Sequence, residues 1–205
     1  MNSMEQKIQR NLTAGLYIHI PFCKVKCVYC DFYSITKKEE QIPLFTKCVL
    51  KEIDSYKHYS KKWKFNTIFF GGGTPSLLPA KYLERILTKL YDTFDTSDIK
   101  EITLETNPGE APLEHLKDVK ALGVNRISMG FQSFDDKILK LLGRLHLSDD
   151  CFKTYKNVRK AGFDNINTDM IFNIPGLSVD RWKKDLNRLI QLNPEHISAY
   201  SLTVE

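Results

Sequence analysis

Leu16-Tyr-Ile-His-Ile-Pro-Phe-Cys23-Lys-Val-Lys-Cys27-Val-Tyr-Cys30 decides how this chain is read. Its first half is an apolar, β-branched run of strand type. Its second half is a loop carrying cysteines at C-x3-C-x2-C. Three thiols this close in a chain that reads as intracellular suit a metal better than a disulfide framework. Three thiolates can hold three irons of a [4Fe–4S] cube and leave the fourth iron open to a ligand, whereas most electron-transfer clusters use four cysteines. Structural zinc is the competing reading, but such sites are closed by four protein ligands. The other cysteines lie far off on helix-like segments. Cys48, within Leu44-Phe-Thr-Lys-Cys-Val-Leu50, reads as a buried thiol, and Cys151 is equally remote. His19 belongs to the strand and not to the ligand loop.

At 205 residues the chain is long enough for one domain with a sizeable core. Its formal net charge is +5. The lysines at Lys37-Lys38 and Lys61-Lys62 read as solvated faces or loops, and no basic-aromatic stretch suggests nucleic acid. No run reaches the length of a membrane span. Met1 to Thr13 is polar, lacks the apolar core of a secretory signal and reads as a frayed lead-in to a domain over 14–205. With the thiol cluster, this points to the cytoplasm.

Outward from the cysteine loop, strand-like and helix-like segments alternate. Strands are expected at Leu16–Ile20, Thr67–Phe70, Glu101–Glu105, Arg126–Met129, Asn165–Ile171 and His196–Thr203. Helices are expected at Pro79–Phe94, Leu113–Leu122, Asp136–Leu142, Asp150–Ala161 and Asp180–Leu192, several stopped by Gly123, Gly162 or Pro194. Strand–helix repetition predicts an α/β fold with a parallel sheet, either open and doubly wound or a partial barrel. The sixth strand arrives as the sequence stops, which predicts an exposed edge without a covering helix.

Ligands of parallel barrels gather at the carboxyl ends of the strands, and the chemistry-bearing residues fall there. The cysteine loop follows strand one, Gly71-Gly72-Gly73-Thr74 follows strand two, Asn107-Pro-Gly109 follows strand three, Gln132 follows strand four, and Asp169 lies in strand five. Three consecutive glycines suit close approach of backbone to a ligand; a tight turn or a phosphate cradle are alternatives, the latter without the Lys-Ser/Thr of a P-loop. Glu105, a carboxylate ending an apolar strand, needs a partner. Arg144 reads either as a carboxylate clamp or as a surface arginine. Tyr17 and Tyr29 are the aromatics near the cysteines; Tyr29, Phe22, Phe32 and Tyr33 either shield a cluster or pack in the core.

C-x3-C-x2-C with Tyr29 before the third cysteine resembles the signature of the radical S-adenosylmethionine (SAM) enzymes. The longer string to Cys30-Asp-Phe-Tyr-Ser34 is similar to a narrower group, the coproporphyrinogen III dehydrogenase-like proteins. Phe69-Phe-Gly-Gly-Gly-Thr-Pro-Ser76, Thr103-Leu-Glu-Thr-Asn-Pro108, Arg126-Ile-Ser-Met-Gly-Phe-Gln-Ser-Phe134 and Asp169-Met-Ile-Phe-Asn-Ile-Pro-Gly176 extend the resemblance over nearly the whole chain. It implies a partial (βα)6 barrel, a [4Fe–4S] cluster on Cys23, Cys27 and Cys30, and SAM held near Tyr17, Tyr29, Gly72, Gly73, Thr74, Glu105, Gln132, Arg144 and Asp169. It further implies a low-potential electron donor, and haem or a porphyrinogen as partner. Relatives continue past residue 205, so a truncated chain is expected. The oxidase branch of the family carries a further cysteine two places after the third cluster cysteine. Phe32 stands there in this chain, the pattern of the haem chaperones, which implies haem transfer to an acceptor protein; porphyrinogen decarboxylation is the alternative.

Overall fold

The computed structural model describes residues 12–61 and 63–203. Most of the expected lead-in, residues 1–11, and Lys62 lie outside the described residues.

Six strands form one sheet of purely parallel pairs: β1 (Thr13–Ile20), β2 (Lys64–Gly72), β3 (Glu101–Thr106), β4 (Arg126–Gln132), β5 (Ile166–Phe172) and β6 (His196–Ser201). They neighbour one another in chain order. Among the described residues β1 pairs only with β2 and β6 only with β5, so the sheet is open, a partial barrel. The crossovers carry helices α1 (Ile42–Ser55), α2 (Ala80–Thr93), α3 (Leu113–Ala121), α4 (Asp136–Leu141), α5 (Ser148–Lys160) and α6 (Val179–Leu192). Among the described residues no helix is long and apolar enough to cross a membrane.

Side chains alternate across a strand, and the two faces differ in chemistry. Ile18, Ile20, Ile68, Phe70, Ile102, Leu104, Ile127, Met129, Phe131, Ile166 and Met170 are buried in the main core. Facing them is the apolar stripe of α2, where Leu83, Ile86, Leu87 and Leu90 are buried. Each such side chain contributes about 1.5–3 kcal/mol on burial. The opposite face carries Tyr17, His19, Glu101, Thr103, Glu105, Arg126, Ser128, Asn167 and Asp169. Parallel sheets buried on both faces read as continuous apolar runs; here the polar alternation marks a concave face. A network lines its floor: the Asn167 amide donates to Ser128 Oγ (2.8 Å) and Asp169 Oδ1 (2.7 Å), Ser198 Oγ donates to Asn167 Oδ1, and Arg126 donates to Thr103 Oγ1 and His196 Nδ1.

Helix ends follow local chemistry. Asp135 caps α4 by accepting from Lys137 N and Ile138 N, and Ser178 caps α6 by accepting from Arg181 N. Asn193 in the left-handed region ends α6 ahead of Pro194. β6 is half-buried or exposed along its length, as expected of an uncovered edge strand. Two expectations change. Cys48 is exposed, because α1 buries Ile42, Thr46 and Ile53 on the stripe that excludes it. Phe22 is fully buried, packed edge-on against Phe45 of α1, so it is a core residue and shields nothing.

Candidate functional site: a cysteine-lined cavity at the carboxyl ends of the strands

A cavity of about 890 Å³ opens at the carboxyl ends of the strands. Cys23, Cys27 and Cys30 line it together with Tyr29, Gly72, Gly73, Thr74, Glu105, Gln132, Arg144 and Asp169. Residues spread over five strands thus converge on one space. Tyr17 is the exception: its ring flanks Gly71 beside Glu105, and its hydroxyl bonds to His19 Nδ1 at 3.1 Å. His19 Nε2 reaches the Tyr33 carbonyl at 2.8 Å, tying the end of the cysteine loop to β1.

The cysteine loop is held from several sides. Ile35 N donates to Pro21 O, Cys30 N to Cys27 O, and Val28 N to Leu142 O at the end of α4. Thr74 N donates to Phe22 O and Gly73 N to Ile20 O, which press the glycine run against the loop. A Cβ on Gly73 would stand 2.7 Å from Phe22 O and 2.9 Å from Cys23 Sγ, so only glycine leaves that thiol its place. Gly72 has φ +113°, and a Cβ there would strike the His19 ring at 2.6 Å. Both conditions exclude a side chain.

These residues fit a cluster. The donor set is three thiols on one wall, with a carboxylate- and amide-lined cavity opposite. Among the described residues no three His, Cys, Asp or Glu side chains gather on a single metal-ion position, whereas a polynuclear cluster takes its thiolates from separate corners. Polar hydrogens aim at two of the sulfurs: Thr74 Oγ1 donates to Cys23 Sγ (3.7 Å) and Arg144 Nη1 to Cys27 Sγ (3.6 Å). Burial pushes the Cys23 thiol up, against the hydrogen bond from Thr74.

Arg144 is no surface residue. Its Nη2 donates to Asn107 Oδ1 (2.5 Å) and Gly130 O (2.9 Å), and its Nη1 also reaches Tyr29 Oη at 3.5 Å. Gln132, buried at the end of β4, adopts φ +68° next to a register shift against β5. A left-handed conformation is unfavourable for a residue with a Cβ, and it turns this amide into the cavity. Glu105 Oε2 accepts from Gly72 N at 3.1 Å. Burial, and then the nearby Asp169 charge, raise the Glu105 carboxyl to about 7, although the Gly72 N–H pulls the other way. Burial raises Asp169 too, opposed chiefly by the hydrogen bond from Asn167.

Two participants take roles the sequence did not assign: Asn107, which the pattern placed after β3 without a partner, and His146. Asn107 contacts Arg144, Thr74 and Glu110 at once. His146 lies buried behind Arg144 and donates from Nε2 to Phe131 O (3.2 Å). Burial and the Arg144 charge hold its pKa down at about 4. Asn107 stands next to a proline in a loop, and His146 follows an exposed leucine. Only the folded arrangement gives either a role.

A parallel partial barrel that gathers three cysteines, a glycine run and two half-buried carboxylates at its carboxyl end defines an iron–sulfur protein with room for a polar ligand beside the cluster. The chain belongs to the Radical SAM superfamily, whose family profile matches residues 17–189; the superfamily implies a [4Fe–4S] cluster and SAM. It is 37% identical to the heme chaperone HemW of Lactococcus lactis over 189 residues, covering 92% of this chain and 49% of that protein. To the heme chaperone HemW of Escherichia coli it is 38% identical, covering 93% and 51%. The coproporphyrinogen III oxidase HemN of Escherichia coli, described as a radical SAM enzyme, superposes with a TM-score of 0.84 at 28% identity, covering 94% of this chain and 44% of that one. The chain spans about half the length of the curated relatives it matches.

Proposed function

We propose that this chain is the barrel of a haem chaperone, a cytoplasmic protein that binds haem beside a cluster and SAM and passes the haem to an acceptor protein. The observation that carries the reading is Phe32. It occupies the place of the oxidase branch's extra cysteine, is exposed, and lines the cavity with Val28, Leu141 and Tyr200. An apolar rim around a polar floor suits a flat hydrophobic ligand with a polar edge. The similarity to proteins named heme chaperone HemW supports the same reading.

Cys23, Cys27 and Cys30 would hold the cluster. Such a cluster, with one iron open, supplies low-potential one-electron chemistry from a separate donor to a ligand at that iron. The chain's own residues bind and orient that ligand. Glu105 and Asp169 supply carboxylate acceptors for the amino group and ribose hydroxyls of SAM, and Gly72 and Gly73 let it approach the backbone of β2. Gln132 adds an amide that donates or accepts. Arg144 pairs with the methionyl carboxylate by exchanging its longer contacts, those to Tyr29 and Cys27, for charge-assisted bonds. Thr74 orients Cys23, and Tyr29 covers the cluster from water. Tyr17, outside the cavity lining, supports Glu105 from behind.

A second reading, oxidative decarboxylation of coproporphyrinogen III, is favoured by the close superposition on HemN. Anaerobic haem titration of the full-length protein, run beside a coproporphyrinogen III turnover assay with SAM and reductant, separates the two. Stoichiometric haem binding without turnover supports the chaperone. SAM-dependent product formation overturns it in favour of the oxidase.

A further inference from the structure

Asn107 sits where two chains of donors leading to different cluster cysteines meet. Its side-chain orientation is fixed by its partners. Arg144 only donates, so the atom facing Nη2 is the amide oxygen. The Glu110 carboxylate, 2.7 Å away, only accepts, so the atom facing it is the amide nitrogen. The same nitrogen donates to Thr74 Oγ1 at 2.9 Å. A hydroxyl has one hydrogen. With its oxygen accepting from Asn107, the Thr74 hydrogen is free to point at Cys23 Sγ, 3.7 Å off. On the other side, the Asn107 oxygen and Gly130 O hold Nη2 of Arg144, which leaves Nη1 directed at Cys27 Sγ.

The backbone of Asn107 is equally constrained. Pro108 favours an extended conformation at the residue before it. Glu110 N donates to Asn107 O and closes the turn, while Gly109 N donates to Thr154 Oγ1 at 2.9 Å and docks the turn on α5. A side chain held this firmly aims its neighbours with precision.

Hydrogen bonds to the sulfurs of an iron–sulfur cluster stabilise the additional negative charge of the reduced state and so raise its reduction potential. We propose that Asn107 is a positioning residue that sets the reduction potential of the cluster before SAM binds, by aiming the Thr74 hydroxyl at Cys23 and the Arg144 guanidinium at Cys27. The inference rests on the cluster reading above and goes beyond it: the amide bonds to no cysteine sulfur itself, yet directs the donors to two of the three.

The test is an anaerobic redox titration of the reconstituted full chain without SAM, followed by electron paramagnetic resonance, with iron and sulfide measured on the same samples. Asn107→Ala releases both donors. Its cluster should be at least tenfold harder to reduce, a fall of about 59 mV for one electron. Thr74→Val removes the Cys23 donor alone and should give a smaller fall in the same direction, whereas Thr74→Ser keeps the hydroxyl and should titrate with the parent. Asn107→Ala carrying parental iron with a midpoint within twofold of the parent's equilibrium constant overturns the proposal. Should Asn107→Ala fail to take up iron, the threonine pair decides: equal midpoints for Thr74→Val and Thr74→Ser overturn it, and a lower midpoint for Thr74→Val alone upholds it. Absence of iron from the parent itself overturns the cluster reading instead, so the two failures are distinguishable.

Discussion

Replacing Glu105 by Gln should stabilise the cluster-free chain while weakening its grip on SAM. In the fold the carboxyl is raised from 4.5 to about 7, chiefly by burial. A carboxyl raised on folding binds its proton more tightly in the native state. Its penalty is therefore absent below pH 4.5, grows between 4.5 and 7, and is fully developed above 7. A rise of that size, at 1.36 kcal/mol per pKa unit, corresponds to about 3 kcal/mol at pH 8 and about 1 kcal/mol at pH 5. Glutamine keeps an oxygen for the Gly72 N–H and carries no charge, so it escapes the penalty. Burial of His146, which depresses its pKa to about 4, adds acid lability, but equally to both proteins, and drops out of the difference. Urea unfolding followed by circular dichroism should find the variant more stable by about 3 kcal/mol at pH 8, the gap narrowing to about 1 kcal/mol at pH 5. In the cluster-loaded protein the same variant should bind SAM at least tenfold more weakly at pH 8, a charge-assisted bond being worth about 1.5–3 kcal/mol. Parental SAM affinity should itself rise about tenfold from pH 6 to pH 8, as a group titrating near 7 ionises. A variant no more stable than the parent at pH 8, or a gap independent of pH, refutes the reasoning.

Cys23→Ala, Cys27→Ala and Cys30→Ala should each abolish iron binding on anaerobic reconstitution while Cys48→Ala, at an exposed position on α1, retains it; equal iron in all four would remove the cluster assignment. Gly73→Ala should lose iron while keeping its far-ultraviolet circular dichroism, because the new methyl competes with Cys23 Sγ and Phe22 O; parental iron content would show that the loop yields instead. Asp185, buried on α6, accepts from Ser133 Oγ (2.7 Å) and Phe134 N (3.0 Å). Asp185→Ala strands both donors and should cost about 1–3 kcal/mol in urea unfolding, with an unchanged midpoint counting against that role.

The strands were legible because apolar and β-branched residues cluster in short runs separated by amphipathic segments, and all six appear within a few residues of their expected places. Strand ends were the weak point. Gly71, Gly72 and Gln132 read as loop residues but continue β2 and β4, since backbone pairing with β1 and β5 carries these strands past their apolar stretches. The α1 segment shows why Cys48 misleads: Leu44-Phe-Thr-Lys-Cys-Val-Leu50 is apolar in composition, but burial follows the Ile42, Thr46 and Ile53 stripe. At the site, cysteine spacing and the glycine run carry their own chemistry and stood out. Arg144 did not. Sequence neighbours leave it free to be a surface residue, and its burial depends on Asn107 and Gly130, supplied by the loop after β3 and by β4. Side-chain partners drawn from distant segments are the part of a site that local pattern does not encode.

The central claim is that Cys23, Cys27 and Cys30 hold a cluster with an iron open to SAM. Electron paramagnetic resonance of the anaerobically reconstituted, dithionite-reduced chain, recorded without and with SAM, tests it most directly. The account predicts a [4Fe–4S]⁺ signal that changes shape when SAM is added. A cluster signal indifferent to SAM, or a chain that takes up zinc and shows no cluster signal, would contradict it.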